Sequence, residues 1–515
     1  MMELKRLCSD TMRIFCVDDI LQLGNTIKDC VLTNDTEKYA EFSKLVEDLS
    51  VDWLQMIFQY WYADRKEKMQ DYTPATLAKT VARLSHVDNE KVCFDMCAGS
   101  GALTIQKWNA DKNLSFICEE FDENVLPFLL FNLAVRNITA TVIHGDVLSG
   151  EFFKAWSVIR GSEYGTVREI DCPIEIKADT CISNPPYNMK WTYPAFAMIQ
   201  PRFEMMLAPE SNANYAFIQT ALDCAKKAVL IMPNSILDTQ NKAEAAIRQL
   251  LVDKNMVESV VINPDNMFEK TKIGTCLISL STKKSTFKTA MIDMRQEYTE
   301  VERKQNGQFG GAAHEGRTYT KVIKTYSDEQ IEKLCKAAVQ PENIPGFSAV
   351  VDKRNIAENK YSLNASKYIE MKAPEHSHRP FADIVADINA IVRERNACKL
   401  VINETVARQM HITEKFCISE QNEINGGFEQ FVNPMLEKIC GMKIEPDSYI
   451  RLTKNKNEFS FVNMDKDKLS PVIVSIMALW GQSIQMLNER ENYYLAELRD
   501  AILPDLMSGQ IEQED

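Results

Sequence analysis

No run of about 18 consecutive apolar residues occurs anywhere in the 515-residue chain, so nothing in it reads as a membrane span. The first residues, MMELKRLCSDTMRIF, mix charge with apolar side chains and lack a secretory core, so no export signal is expected. Histidine is scarce, with 6 widely spread residues. The 14 cysteines form no paired CxxC at metal-binding spacing, and Cys93 and Cys97 stand alone. These shortages exclude a zinc ribbon, and no metal ligand is assigned. Scattered, unpaired cysteines read as reduced thiols of a cytosolic protein. Positive charge is also short: 59 Lys and Arg face 73 Asp and Glu, a net charge of −14. Such a chain does not hold nucleic acid tightly by itself. If DNA is the substrate, local basic patches or a partner chain must supply much of the affinity. There is no GxxxxGK[ST] and no evident cluster of nuclease metal ligands, so helicase or nuclease chemistry would need another chain.

What remains is ordinary for a globular protein, 45% hydrophobic and 26% charged. Residues 1–70 read as a helical region, with Phe42, Leu45, Val46, Leu49, Trp53, Leu54, Ile57, Phe58 and Trp61 at helical spacing. Residues 71–290 alternate short apolar strands with helices, the pattern of a doubly wound, mostly parallel α/β sheet. A polar stretch of about thirty residues after Asp146 is too long for a plain connection in such a unit. Residues 291–374 read as a linker and extension, and 375–515 as a helical or coiled-coil region.

The chemistry centres on Asn184-Pro185-Pro186-Tyr187, at the end of the strand ADTCIS. Asn184 offers a side-chain carbonyl. The Pro185 carbonyl offers a second acceptor, on a backbone that Pro185 and Pro186 stiffen. Tyr187 offers a flat ring on which a base could stack. Two acceptors aimed at the hydrogens of a planar amine would free its lone pair for attack on an electrophile. Alone, the tetrapeptide suits a proline-rich turn equally well. Three further features end successive strands. VCFDM, ending near Asp95, leads into Ala98-Gly99-Ser100-Gly101, a turn that allows close backbone approach before a helix N-terminus. Glu120 ends the next strand, where an acid accepts ribose hydroxyls. Asp146 ends the third, placed to accept an adenine amino group. Only Gly99 and Gly101 are present, so this is not the dinucleotide GxGxxG.

With these residues in hand, the chain resembles the S-adenosylmethionine-dependent amino-methyltransferases. DMCAGSG looks like their first motif, with Met96 where proline is usual. Tyr72-Thr73-Pro74 upstream and NPPY downstream give an order similar to the gamma class of DNA adenine-N6 methyltransferases. The likeness is to the modification subunit of type I restriction–modification systems. It covers roughly residues 70 to 285, with IAENKYSLNASKYIE resembling the family's next segment. The resemblance implies the class I methyltransferase fold and S-adenosylmethionine as cofactor. It places Tyr72, Thr73, Pro74, Asp95, Asn184 and the turn Ala98 to Gly101 at the cofactor, with Glu120 and Asp146. It places Asn184, Pro185, Pro186 and Tyr187 at the reacting amine, and Phe268 beside Tyr187 against a flipped adenine, though an ordinary core Phe fits that position too. Thr73-Pro74 read alone is only a helix start. YYLAELRDAILPDLMSGQI resembles the helical end of a type I specificity subunit. That implies DNA, a specificity subunit and a restriction subunit as partners, in a bacterial or phage-encoded cytoplasmic protein. A terminal coiled coil for homodimerisation explains the same helix. Alternative functions are a non-catalytic recognition or scaffold subunit, or a methyltransferase acting on RNA or on a protein glutamine amide.

Overall fold

A computed structural model describes residues 4–61, 73–268, 273–306, 318–370, 379–409, 450–452, 459–461 and 487–503. The chain packs as two units, Met1–Glu370 and Met371–Asp515. The divisions expected after residues 70 and 290 both fall inside the first unit.

Thirteen strands run through the described part of that unit: β1 (Val92–Asp95), β2 (Ser115–Glu120), β3 (Ala140–Asp146), β4 (Glu151–Ile159), β5 (Thr166–Ile170), β6 (Ala178–Ser183), β7 (Ala225–Pro233), β8 (Val257–Ile262), β9 (Thr275–Ser281), β10 (Lys288–Asp293), β11 (Thr299–Asn306), β12 (Thr318–Thr325) and β13 (Ser348–Asp352). Eleven form one sheet, in the order β13-β10-β8-β9-β7-β6-β1-β2-β3-β4-β5, and β11 pairs with β12 apart from it. The central run β3-β2-β1-β6-β7 is parallel. Antiparallel strands flank it on both sides. The polar stretch after Asp146 is the hairpin β4–β5 that extends the sheet, which explains its length. The edge strand β5 is blunted by Asn34, which accepts from Val167 N at 2.6 Å and donates to Val167 O at 3.1 Å.

Alternation along the strands builds two cores. In β7, Val229 and Ile231 join one, while Leu230 and Met232 join the other. The first core carries α1 (Leu4–Ile14), α2 (Leu23–Thr33), α3 (Thr36–Val46), α4 (Trp53–Trp61), α5 (Ala75–Leu84), α6 (Ala102–Ala110) and α7 (Leu126–Val135). Every residue of α7 is buried. Such a helix is apolar all round because it has no free side: it touches β3 to β5 as well as α2, α3 and α4. Phe131 meets Phe15, Tyr39 and Phe42 edge-on at 5.5, 5.3 and 5.1 Å between ring centroids. The N-terminal helices are therefore a third layer over α7. The aromatic face expected in the N-terminal region is core wherever its side chains are described. The second core carries α8 (Asn214–Cys224) and α9 (Lys242–Asp253).

In the second unit a helix spans Phe381–Gln409 and another covers 487–503. Arg379 pairs with Glu497, and Arg395 and Glu394 with Glu491 and Arg490, so the two run antiparallel. Ile384, Ile391, Leu487 and Ala501 are buried in this unit. The final Ser508-Gly509 and most of the long terminal helix expected before it lie outside the described residues. No helix among the described residues is long and apolar enough to cross a membrane.

Candidate active site

The chain runs β1, β2, β3 outward, then returns to lay β6 on the other side of β1. Loops at the carboxyl ends of β1 and β6 must diverge there, and a crevice opens. A cleft of about 640 Å³ lies at this place. Thr73, Ala98 to Ser100, Glu120, Asp146 and Asn184 to Tyr187 all line it. Four strand ends, at Asp95, Glu120, Asp146 and Ser183, thus converge only through the topology.

The floor is the turn after β1. Gly99 and Gly101 sit at φ +55° and +99°, which favours glycine. A Cβ on Gly101 would approach Leu129 Cδ1 at 3.0 Å. Gly101→Ala is expected to lower stability by about 1–2 kcal/mol, read as a shift in urea midpoint. Gly99 N donates to Glu120 Oε2 and Asp122 N to Glu120 Oε1, each at 2.8 Å. The carboxylate of Glu120 is thus aimed from behind by backbone N–H groups. Burial pushes this carboxyl up to about 7.

Several expected positions make contacts that the sequence does not suggest. Asp95 is fully buried and is not part of the cleft wall. Its Oδ2 accepts from Thr104 Oγ1 at 2.7 Å, so it pins the start of α6 from beneath, and burial pushes it up to about 7. The Ser100 hydroxyl donates to Asp52 Oδ2 at 2.6 Å. Thr73 does not cap α5 with its side chain. Instead its Oγ1 accepts from Asn184 Nδ2 at 3.0 Å. Pro74 precedes α5 and lies outside the cleft wall. Tyr72 lies outside the described residues.

At the end of β6, Tyr187 OH donates to Asn184 Oδ1 at 2.5 Å. With Thr73 on its nitrogen, the Asn184 amide is held at both ends. Phe268 is 3% exposed and meets Tyr187 at 6.4 Å with the rings at 85°. That is an edge-to-face contact, already satisfied, rather than two parallel faces with a base-wide gap. A base entering this conformation would find the Tyr187 ring alone.

Three groups escaped the sequence reading. Asp52, at the start of α4, accepts from Gln55 N (3.0 Å), Asn132 Nδ2 (2.9 Å) and Ser100 Oγ (2.6 Å). Burial pushes its carboxyl up, against those hydrogen bonds and the charge of Arg136. Arg136 in turn donates to Asn132 Oδ1, Leu49 O and Val51 O. The second group is the chain between β6 and α8, which supplies Trp191 to Ala195 as another cleft wall. The third is Glu119. Its Oε1 is buried with no hydrogen-bond partner, and burial, then the neighbouring Asp146, push the carboxyl up to about 8. Between its ordinary 4.5 and that value, the folded chain holds a proton that the unfolded chain has released. Its contribution to stability is complete below about pH 4.5 and falls as pH rises toward 8. Glu119→Gln should flatten that fall, by a few kcal/mol at most. Urea midpoints at pH 5, 6.5 and 8 check it; parallel curves for the two proteins would refute it.

The glycine floor, a braced carboxylate at the end of β2 and a second at the end of β3 line one cleft. A match to the N-6 DNA Methylase family model spans residues 48–377. The chain belongs to this family. The matched span begins on the turn that carries Asp52, well before β1. The chain is 26% identical over 344 residues to the type I restriction enzyme MjaVIII methylase subunit of Methanocaldococcus jannaschii, covering 64% of this chain and 54% of that one. It is 25% identical over 379 residues to the MpnII methylase subunit of Mycoplasma pneumoniae, covering 68% and 64%. The chain thus matches between half and two thirds of the length of these curated relatives. The crystal structure of a type I restriction-modification methyltransferase subunit from Streptococcus thermophilus shares the fold, with a TM-score of 0.51 and 20% identity over 71% of this chain and 80% of that one.

Proposed function

We propose that this N-6 DNA methylase family member transfers a methyl group from S-adenosylmethionine to the N6 amino group of an adenine extruded from DNA, as the modification subunit of a restriction–modification system. The observation that carries this reading is the Asn184 amide, fixed by Thr73 and Tyr187 at the mouth of a cleft that also holds Glu120 and Asp146. The residues fit the cofactor: Glu120 would take the ribose hydroxyls, Asp146 an amino group of its base, and the Ala98–Gly101 turn its close approach. The cofactor, when bound, supplies an electrophilic methyl on a sulfonium centre.

The chain's own part is position and polarity. Asn184 Oδ1 and the Pro185 carbonyl accept the two amino hydrogens, which turns the nitrogen lone pair out of the ring plane. Positive charge grows on that nitrogen during attack, and the two carbonyl dipoles stabilise it. Tyr187 stacks on the base. No strong general base is required, because the cationic nitrogen sheds its proton readily once formed.

The family assignment favours adenine in DNA over an amide, which the NPPY tetrapeptide alone would suit as well. The net charge of −14 calls for a specificity subunit to bring DNA affinity. The ion-paired helices of the second unit are proposed as its docking surface, or as a homodimer contact, in a cytoplasmic assembly. Methylation-aware sequencing of host DNA, with and without the gene, tests the reading. A motif that loses N6-methyladenine on deletion is expected. Unchanged methylation at every motif would count decisively against it.

A further inference from the structure

The segment between β6 and α8 is a long loop with a fixed neck. Directly behind Tyr187, Asn188 N donates to Asn214 Oδ1 at 3.0 Å, and Asn214 Nδ2 donates to Asn188 Oδ1 at 2.9 Å. Ala213 N donates to Met189 O, and Trp191 N to Glu210 O, both at 2.9 Å. Trp191 and Phe203 are buried at the base and pack at 5.6 Å. Arg202 bolts the base to the chain after Asp146, donating to Val147 O at 2.6 Å and Leu148 O at 2.8 Å.

The tip is built in the opposite way. Phe196, Met198 and Ile199 are 80%, 86% and 79% exposed. Phe196 sits in the left-handed region at φ +57°, a conformation rarely imposed on a bulky residue. Short-range bonds hold it there: Ala197 N to Pro194 O (3.1 Å), Ile199 N to Phe196 O (3.0 Å) and Gln200 Nε2 to Ala195 O (3.1 Å). Three apolar side chains are thus presented to water by a pinned loop, at a cost in solvation that the fold does not recover. Residues 193–201, YPAFAMIQP, contain no charge. Tyr193, Pro194 and Ala195 line the same cleft as Asn184 and Tyr187, so the tip stands beside the amine clamp.

We infer that this tip is a wedge that enters the DNA base stack as the target adenine leaves it, with Phe196 and Ile199 filling the gap. The inference rests on the adenine-methylation reading above. A vacated base position is an apolar slot between two aromatic faces, and uncharged apolar side chains are what fill and hold such a slot open. An uncharged tip gains nothing from phosphates, so its occupant is the stack rather than the backbone. Phe196 and Ile199 are positioning residues: they favour the extruded base and do not touch the reacting atoms.

The test uses the full chain, co-purified with whatever subunits it requires, and a duplex bearing the motif found by sequencing. One duplex carries the normal target pair; the other carries an abasic site opposite the target adenine, so that no pair has to be opened. Phe196→Ala and Ile199→Ala should each slow transfer on the paired duplex, on the order of 10-fold. Cofactor affinity and thermal midpoint should stay at the parent values, since both side chains are largely exposed. On the abasic duplex both variants should return close to the parent rate. Equal slowing on both duplexes, or none on either, overturns the wedge. Loss of a co-purifying subunit makes the tip a protein-docking surface and overturns it as well. No transfer by the unaltered protein to either duplex overturns the adenine reading itself.

Discussion

Replacing Asn184 with Ala is expected to lower methyl transfer by at least about 10²-fold while cofactor affinity stays nearly unchanged. The side chain sits at the carboxyl end of β6, where its carbonyl accepts from Tyr187 OH and its nitrogen donates to Thr73 Oγ1. Removing it leaves the glycine floor, Glu120 and Asp146 in place, so the proposed cofactor side of the cleft is intact. What disappears, on the proposed reading, is one acceptor that recognises the amine and stabilises charge on it. Asn184→Asp keeps the acceptors and loses the donor to Thr73, so it should fall between the two. Single-turnover transfer together with a direct cofactor titration reads both quantities. A cofactor affinity that drops as steeply as the rate would remove Asn184 from the amine side of the reaction.

The second large effect is on stability. Asp52→Ala should destabilise the first unit by about 3–5 kcal/mol, the cost of removing one member of a buried charged network. The Ser100 hydroxyl and the Asn132 amide would lose their acceptor in a site where water cannot replace it. Arg136, buried and tied to Leu49 O and Val51 O, would lose a countercharge. Because Ser100 belongs to the turn beneath the proposed cofactor site, affinity for S-adenosylmethionine should weaken as well. Urea unfolding and the same titration, run side by side, decide it. An unchanged midpoint would mean that the N-terminal layer does not brace the turn.

The proline-stiffened turn Asn184–Tyr187, the glycine turn and the strand-end acids were legible because each lies within a short stretch whose chemistry is local. A proline pair stiffens its own backbone, and a Gly at positive φ is needed wherever a strand turns tightly into a helix. The strands and helices between residues 92 and 281 were legible for the same kind of reason, since burial on two faces writes apolar runs of strand length. Asp52 was not. Its only local signal is that of an ordinary N-cap before α4, where it accepts from Gln55 N. That it also reaches Ser100, 48 residues on, depends on how α4 is laid against α7. Thr73 shows the reverse: read alone it looks like a cap, and instead its hydroxyl accepts from Asn184, 111 residues away.

The sequence by itself determined the alternating α/β core, the order of the motifs along it and the chemical character of each, because hydrophobic period and backbone stiffness act over a few residues. Only the tertiary structure decided which of those residues face the cleft. Asp95 turned under the floor, Phe268 packed edge-on behind Tyr187, and the Trp191–Ala195 segment became a wall. The physical reason is that direction is set by packing: a side chain one residue further along a strand faces the opposite core, and a loop points where its anchored neck allows.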